Sequence, residues 1–160
     1  MLFAVRRFFA VRSPAGAYER GVIALDRRDY FRALAEFDQA LVEAASNAER
    51  LQALNKRGIA HVSTGDRNRA IEAFTAALEI NPRFAPAIVN VGNMLLEDND
   101  IDDAIEHYQA ALRIDERYAP AHQNLAVAYR RLGRRGDAVR ELRLAARFDT
   151  PSWLLRWQRR

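Results

Sequence analysis

The chain has 160 residues, 49% of them hydrophobic, and carries 25 Lys and Arg against 21 Asp and Glu for a formal net charge of +4. That length and apolar content suit one compact domain. The absence of cysteine excludes disulfides, thiolate metal sites and a cysteine nucleophile.

Residues 1–13 form an apolar, basic segment with no acid, from Met1-Leu2-Phe3 through Arg6-Arg7-Phe8-Phe9 to Arg12. Arg6 and Arg7 interrupt the apolar core of about 7–15 residues that a secretory signal needs. The pair looks like a fragment of a twin-arginine signal, but Ser13-Pro14-Ala15-Gly16 follows in place of an apolar stretch. The segment also falls far short of the ~20 residues of a membrane span. Three readings stay open: a strap packed on the first helices, a loose end, or contact with a membrane surface. Packing or looseness is favoured, and a cytoplasmic location is expected.

Beyond this segment the chain repeats itself. The first unit shows Gly21, then Ala33, Phe37 and Ala40. The second shows Leu54, Gly58, His61, Gly65, Ala70, Phe74, Ala77 and Pro82. The third shows Ile88, Val91, Gly92, Leu95, Ala104, Tyr108 and Ala111, and the fourth Leu125, Ala126, Tyr129, Gly133, Ala138, Leu142 and Ala145. Gly58 and Gly92 stand 34 residues apart, as do Ala70, Ala104 and Ala138 in turn. Gly21 precedes Gly58 by 37 residues, so about three extra residues sit at the Glu43 to Asn47 seam, most simply as one added helical turn of ~3.6 residues. Apolar spacings of three and four are helical. Each unit predicts two helices. A small residue at the crossing lets them approach, alanines line the inner face, and Phe37, Phe74, Tyr108 or Leu142 fills the space between. All five prolines fall at seams or first helical turns. A unit of this kind cannot bury its apolar face alone and must stack on a neighbour.

This pattern resembles the tetratricopeptide repeat (TPR), a helical hairpin of 34 residues. The family's closing proline is absent from the third unit, where Glu116 stands. The resemblance implies an all-α fold: a right-handed α-solenoid of four antiparallel helix-turn-helix hairpins. The repeats fall at about 14–50, 51–84, 85–118 and 119–150 within a domain of 14–150. Residues 151–160, with Trp153 and Trp157 on one helical face, resemble the short capping helix that ends such arrays, and would cover Val139, Leu142 and part of Phe148. Dimerisation through those tryptophans is the rival reading.

In that family the first helices of successive hairpins line a concave groove. Its positions fall on Gln52, Asn55 and Lys56, on Val89, Asn90, Asn93 and Glu97, and on Gln123, Asn124, Val127, Arg130 and Arg131; the first unit offers Tyr18, Val22 and Asp26. Asn90 and Asn124, one repeat apart, offer the donor and acceptor pairs that an extended peptide needs. Some members clamp chaperone C-terminal carboxylates. Here Asn90 holds one clamp place, but Asn55, Ile59, Pro120 and Asn124 hold the flanking ones, so that clamp is not supported.

The third unit is acidic (Glu97, Asp98, Asp100, Asp102, Asp103, Glu106) and the fourth basic (Arg130, Arg131, Arg134, Arg135, Arg140, Arg143, Arg147). Blocks of opposite sign invite contact within the chain or with another copy, although solvated outer faces are the simpler reading. Aromatics do not alternate with the arginines as base stacking requires, which argues against a nucleic acid partner.

No catalytic constellation, cofactor motif or metal site emerges. His61, His107 and His122 lie in three different units, with His61 and His122 at packing positions. Gly133-Arg134-Arg135-Gly136 lacks the lysine and hydroxyl residue of a phosphate loop. The cluster Asp98, Asp100, Asp102, Asp103 lacks the glycine and final glutamate of a calcium loop, and capping of a helix by Asp100 and Asp102 explains it better.

The expected function is therefore a non-catalytic protein-interaction scaffold, holding a peptide or helix of a protein partner in its groove. One alternative is a TPR-class secretion chaperone, against which the +4 charge argues. Another is a binder of anionic surfaces or nucleic acid through the arginines of the fourth unit.

Overall fold

The computed structural model describes residues 16–149. Over that range the backbone forms α1 Ala17–Asp26, α2 Tyr30–Glu43, α3 Asn47–Thr64, α4 Arg67–Ile80, α5 Ala85–Glu97, α6 Ile101–Ile114, α7 Ala119–Arg131 and α8 Arg135–Asp149. The N-terminal segment 1–13 and the expected capping helix 151–160 lie outside the described residues.

The turns explain why the helices stop where they do. Inside each hairpin one residue adopts a left-handed backbone, at the same register each time: Arg28 (φ 60°), Gly65 (φ 79°), Asn99 (φ 68°) and Gly133 (φ 73°). Glycine takes that conformation without strain and closes α3 at Gly65. In the first three hairpins an aspartate follows and starts the second helix. Asp29 and Asp66 accept the backbone N–H of Arg32 and Arg69, each at 3.2 Å. Asp100 sits at the same place but its side chain caps nothing, contrary to the expectation from sequence. Asp102 and Asp103 lie in the first turn of α6 instead, where the helix dipole favours negative charge. Pro86 and Pro120 lie in the first turns of α5 and α7. At the irregular seam, α3 runs 18 residues against 13 in α5 and α7. The added turn is therefore the first turn of α3. It is capped by Ser46, which accepts the N–H of Glu49, while Glu49 accepts the N–H of Ala45.

Helices pair in chain order, α1 with α2, α3 with α4, α5 with α6 and α7 with α8. Each second helix also packs on the first helix of the next hairpin. The first helices touch one another along the array, α1 on α3, α3 on α5 and α5 on α7, whereas α2, α4, α6 and α8 do not. The product is a two-layered all-α solenoid with the first helices inside.

Close approach within the hairpins follows from side-chain size. A methyl group added at Gly21, Gly58 or Gly92 would lie 2.6, 2.4 or 2.8 Å from the ring of Phe37, Phe74 or Tyr108. Those three rings are the largest fully buried side chains among the described residues. The repeated alanines are buried throughout, from Ala33, Ala70 and Ala104 at 0% exposure to Ala138 at 6%. Each ring is also roofed by the next hairpin: Phe37 clusters with Ala60, Phe74 with Ala87 and Met94, and Tyr108 with Ala121 and Leu125. The fourth unit departs from expectation here. Leu142, in the register of the three aromatics, is 53% exposed and Val139 is 47% exposed. No further hairpin roofs α8 among the described residues.

Candidate functional site

On the inner layer, a stripe of side chains at helical spacing stays open on three successive helices. On α3 it comprises Gln52, Lys56, Ile59 and Ser63; on α5, Pro86, Asn90, Asn93 and Glu97; on α7, Asn124, Val127 and Arg131, flanked by Gln123 and Arg130. All of these are half-buried or exposed. Ile59 and Ser63 were not among the expected groove residues, although the 34-residue register places them opposite Asn93 and Glu97.

Two expected groove residues turn away from the stripe. Val89 is 3% exposed and packs in the core cluster with Ala121 and Leu125 of α7; it is a core residue, not a groove residue. Asn55, one repeat earlier, is 6% exposed. The reason is shared: one residue before Asn90 or Lys56, the helix has rotated its side chain into the seam toward the next first helix. Gln123 has the same register and is exposed, since no further first helix meets it among the described residues.

Hydrogen bonds fix what the stripe presents. Asn90 Nδ2 donates to Asn55 Oδ1 at 2.8 Å, which satisfies the buried amide and ties α5 to α3. Asn90 therefore keeps its carbonyl oxygen and one amide N–H for a partner, in an orientation fixed by that bond. The hydroxyl of Tyr108 donates to Asn93 Oδ1 at 2.9 Å. Burial pushes that phenol up to about 12, with Arg131 opposing and Glu97 adding to the rise, so it remains a hydrogen donor at any ordinary pH. Asn93 in turn keeps its amide N–H groups for the groove. Asn124 makes no side-chain hydrogen bond within the described residues, so both its donor and its acceptor stay open. The paired asparagines are thus unequal, although the sequence presents them as equivalent.

Arginines close the end of α5. Arg131 Nη1 donates to the Leu96 carbonyl at 2.5 Å, and Arg67 donates to the Met94 carbonyl at 3.2 Å and pairs with Asp98. Part of the positive charge expected to face a partner is therefore committed to capping a helix.

Comparison with known proteins finds the same kind of repeat in this chain. A TPR-repeat model matches residues 92–133, and a tetratricopeptide-repeat model matches residues 51–84. The chain is a tetratricopeptide repeat protein. It resembles the photosystem I assembly protein Ycf3 of Synechococcus sp. (strain CC9605), at 33% identity over 75 residues, and that of Prochlorococcus marinus (strain MIT 9211), at 31%. The matched stretch is 47% of this chain and spans only 43% of those relatives. Among solved structures, a thermophilic TPR protein of Thermus thermophilus superposes with a TM-score of 0.66 at 24% identity, covering 83% of this chain and 73% of that one. YrrB, described as a TPR protein with an unusual peptide-binding site, superposes with a TM-score of 0.59 at 22% identity, covering 90% and 73%.

Two histidines of this TPR array are buried. His61 is 4% exposed and its Nδ1 has no partner; desolvation and then the charge of Arg57 lower its pKa. His122, read from sequence as a packing residue, is buried but polar in its contacts. Its Nδ1 meets Glu141 Oε2 at 2.7 Å and its Nε2 meets the Glu116 carbonyl at 3.0 Å. Among the described residues no group of three or more His, Cys, Asp and Glu is arranged to hold a metal ion, and no helix is long and apolar enough to cross a membrane. Among the described residues the acidic and basic blocks form no ion pair with each other. Arg134, just before α8, and Arg140 within it pair with Asp137 of α8, Arg140 also with Glu141, and Asp98 pairs with Arg67 of the second hairpin.

Proposed function

We propose that this chain is a non-catalytic scaffold that holds an extended peptide or a helix of a partner protein along its inner layer. The observation that carries this reading is the half-open stripe on α3, α5 and α7. It mixes amide, apolar and charged groups, with Asn124 free to both donate and accept. An extended chain exposes the same two functions on its own backbone, so amides spaced one repeat apart suit it. Rigid neighbours hold Asn90 and Asn93 in place, which lowers the ordering cost of binding. The curated relatives are named as assembly proteins, which is consistent with a role in holding another protein.

The rival reading, an anionic-surface binder using the fourth hairpin, is weakened by the arginines already engaged at Leu96, Asp137 and Glu141. The test compares capture of native-cell proteins by the wild type, by Asn124→Ala with Lys56→Ala, and by Arg135→Ala with Arg143→Ala. Loss of a specific protein only in the groove variant supports the proposal. Loss only in the arginine variant, with binding that falls steeply with salt, would replace it by the anionic-surface reading.

A further inference from the structure

A cavity of about 480 Å³ opens at the first-hairpin end, between the start of α1, the end of α2 and the added first turn of α3. Its walls are small or apolar: Ala17, Tyr18, Ala40, Ala44 and Ala48. Glu19, Glu43 and Glu49 stand around them. None of these carboxylates has an ion-pair partner among the described residues. Glu43 accepts a hydrogen bond from Gln39 and Glu49 caps Ala45, which leaves their charge unbalanced. The cavity exists because α3 starts a turn early, so that Ala48 and Glu49 form a wall.

Apolar walls ringed by carboxylates fit a segment that is apolar and positively charged. The chain carries such a segment: residues 1–12 include Phe3, Phe8, Phe9 and Val11, with Arg6, Arg7 and Arg12 and no acid. Gly16 itself lines the cavity, and only Ser13-Pro14-Ala15 separates it from Arg12. The tether gives the segment a high effective concentration at the site. We propose that this cavity is the docking site of the chain's own residues 1–12, with a phenylalanine in the alanine-walled space and arginines against Glu19 and Glu43. Gln52 of the groove stripe also lines this cavity, but the docking proposal does not rest on a partner binding the groove.

Limited trypsin digestion of the full chain, followed by mass spectrometry, tests it through cleavage after Arg12. Docking predicts that cleavage there is slower in the wild type than in Glu19→Arg with Glu43→Arg by about tenfold, the effect of a few modest contacts on the open population. Arg6→Glu with Arg7→Glu should lose the same protection, and combining all four changes should restore it. Ala48→Trp, at an exposed position, fills the cavity without changing charge and should also release the segment. Circular dichroism checks that each variant keeps its helices. Equal cleavage in the wild type and every variant would overturn the proposal. Protection that disappears on dilution would overturn it in favour of a second copy's segment.

Discussion

Replacing Gly58 by alanine adds one methyl group at the tightest crossing in the array. The new carbon would lie 2.4, 2.7 and 2.8 Å from Cε1, Cζ and Cδ1 of Phe74, against ordinary contacts of 3.4–4 Å. Phe74 is 1% exposed and hemmed in by Leu51, Leu54, Ala70, Ala77 and Ala87, so the ring has nowhere to retreat. Overpacking of this kind costs about 1–3 kcal/mol, and an overlap of that depth belongs near the upper end. Alanine's better helix propensity returns about 1 kcal/mol. The expected net loss is about 2 kcal/mol, read by urea unfolding followed by helical circular dichroism. A double-mutant cycle isolates the cause. Phe74→Leu alone leaves a void and destabilises, but Gly58→Ala with Phe74→Leu should cost less than the sum of the two by about 1–2 kcal/mol. The chain already makes this exchange in its fourth hairpin, where Ala126 and Leu142 hold the two places. Gly21→Ala and Gly92→Ala should cost progressively less, following their wider gaps of 2.6 and 2.8 Å. An unchanged or raised stability for Gly58→Ala, with no coupling to residue 74, would refute the reasoning.

Three further outcomes follow from other positions. Arg28 holds the left-handed turn place that Gly65 and Gly133 occupy elsewhere, so Arg28→Gly should stabilise the array by about 1 kcal/mol in the same unfolding assay. Glu141→Leu leaves the buried His122 Nδ1 without its partner and should cost roughly 1.5–3 kcal/mol, much of it recovered when His122→Leu is added. Burial holds the His61 pKa below its ordinary 6.5, so the unfolded chain takes up the proton first as pH falls. The His61 contribution is therefore complete above pH 6.5 and declines as pH falls below it toward the folded-state pKa; His61→Tyr should flatten that acid limb of the stability curve.

Much of the fold was legible because its determinants are local and periodic. The register of Gly21, Gly58 and Gly92 against Phe37, Phe74 and Tyr108 locates every hairpin crossing in the first three units. Small and large side chains at fixed spacing have few other uses. The three extra residues at the seam were also countable, and they appear as the first turn of α3. The candidate site was less legible because it depends on which neighbour each side chain meets. A repeat register makes Asn90 and Asn124 look alike, but Asn90 has Asn55 beside it on α3, whereas one repeat on from Asn55 stands the apolar Val89 on α5. Val89 falls on a groove position of the family, and rotation by one residue along the helix from Asn90 places it in the core instead. The contact of His122 with Glu141 joins α7 to α8 across 19 residues, a pairing with no counterpart in the other hairpins and so no periodic signal.

The most direct test of the scaffold reading places a photo-crosslinking residue at Val127, in the open stripe, and separately at Ile71, 46% exposed on α4 of the outer layer. Each variant is irradiated with native-cell extract. Crosslinking of one defined protein from position 127, lost when Asn124→Ala is added, and no such product from position 71, is the result expected. A product that forms equally from both positions, or from position 71 alone, would contradict binding along the inner layer.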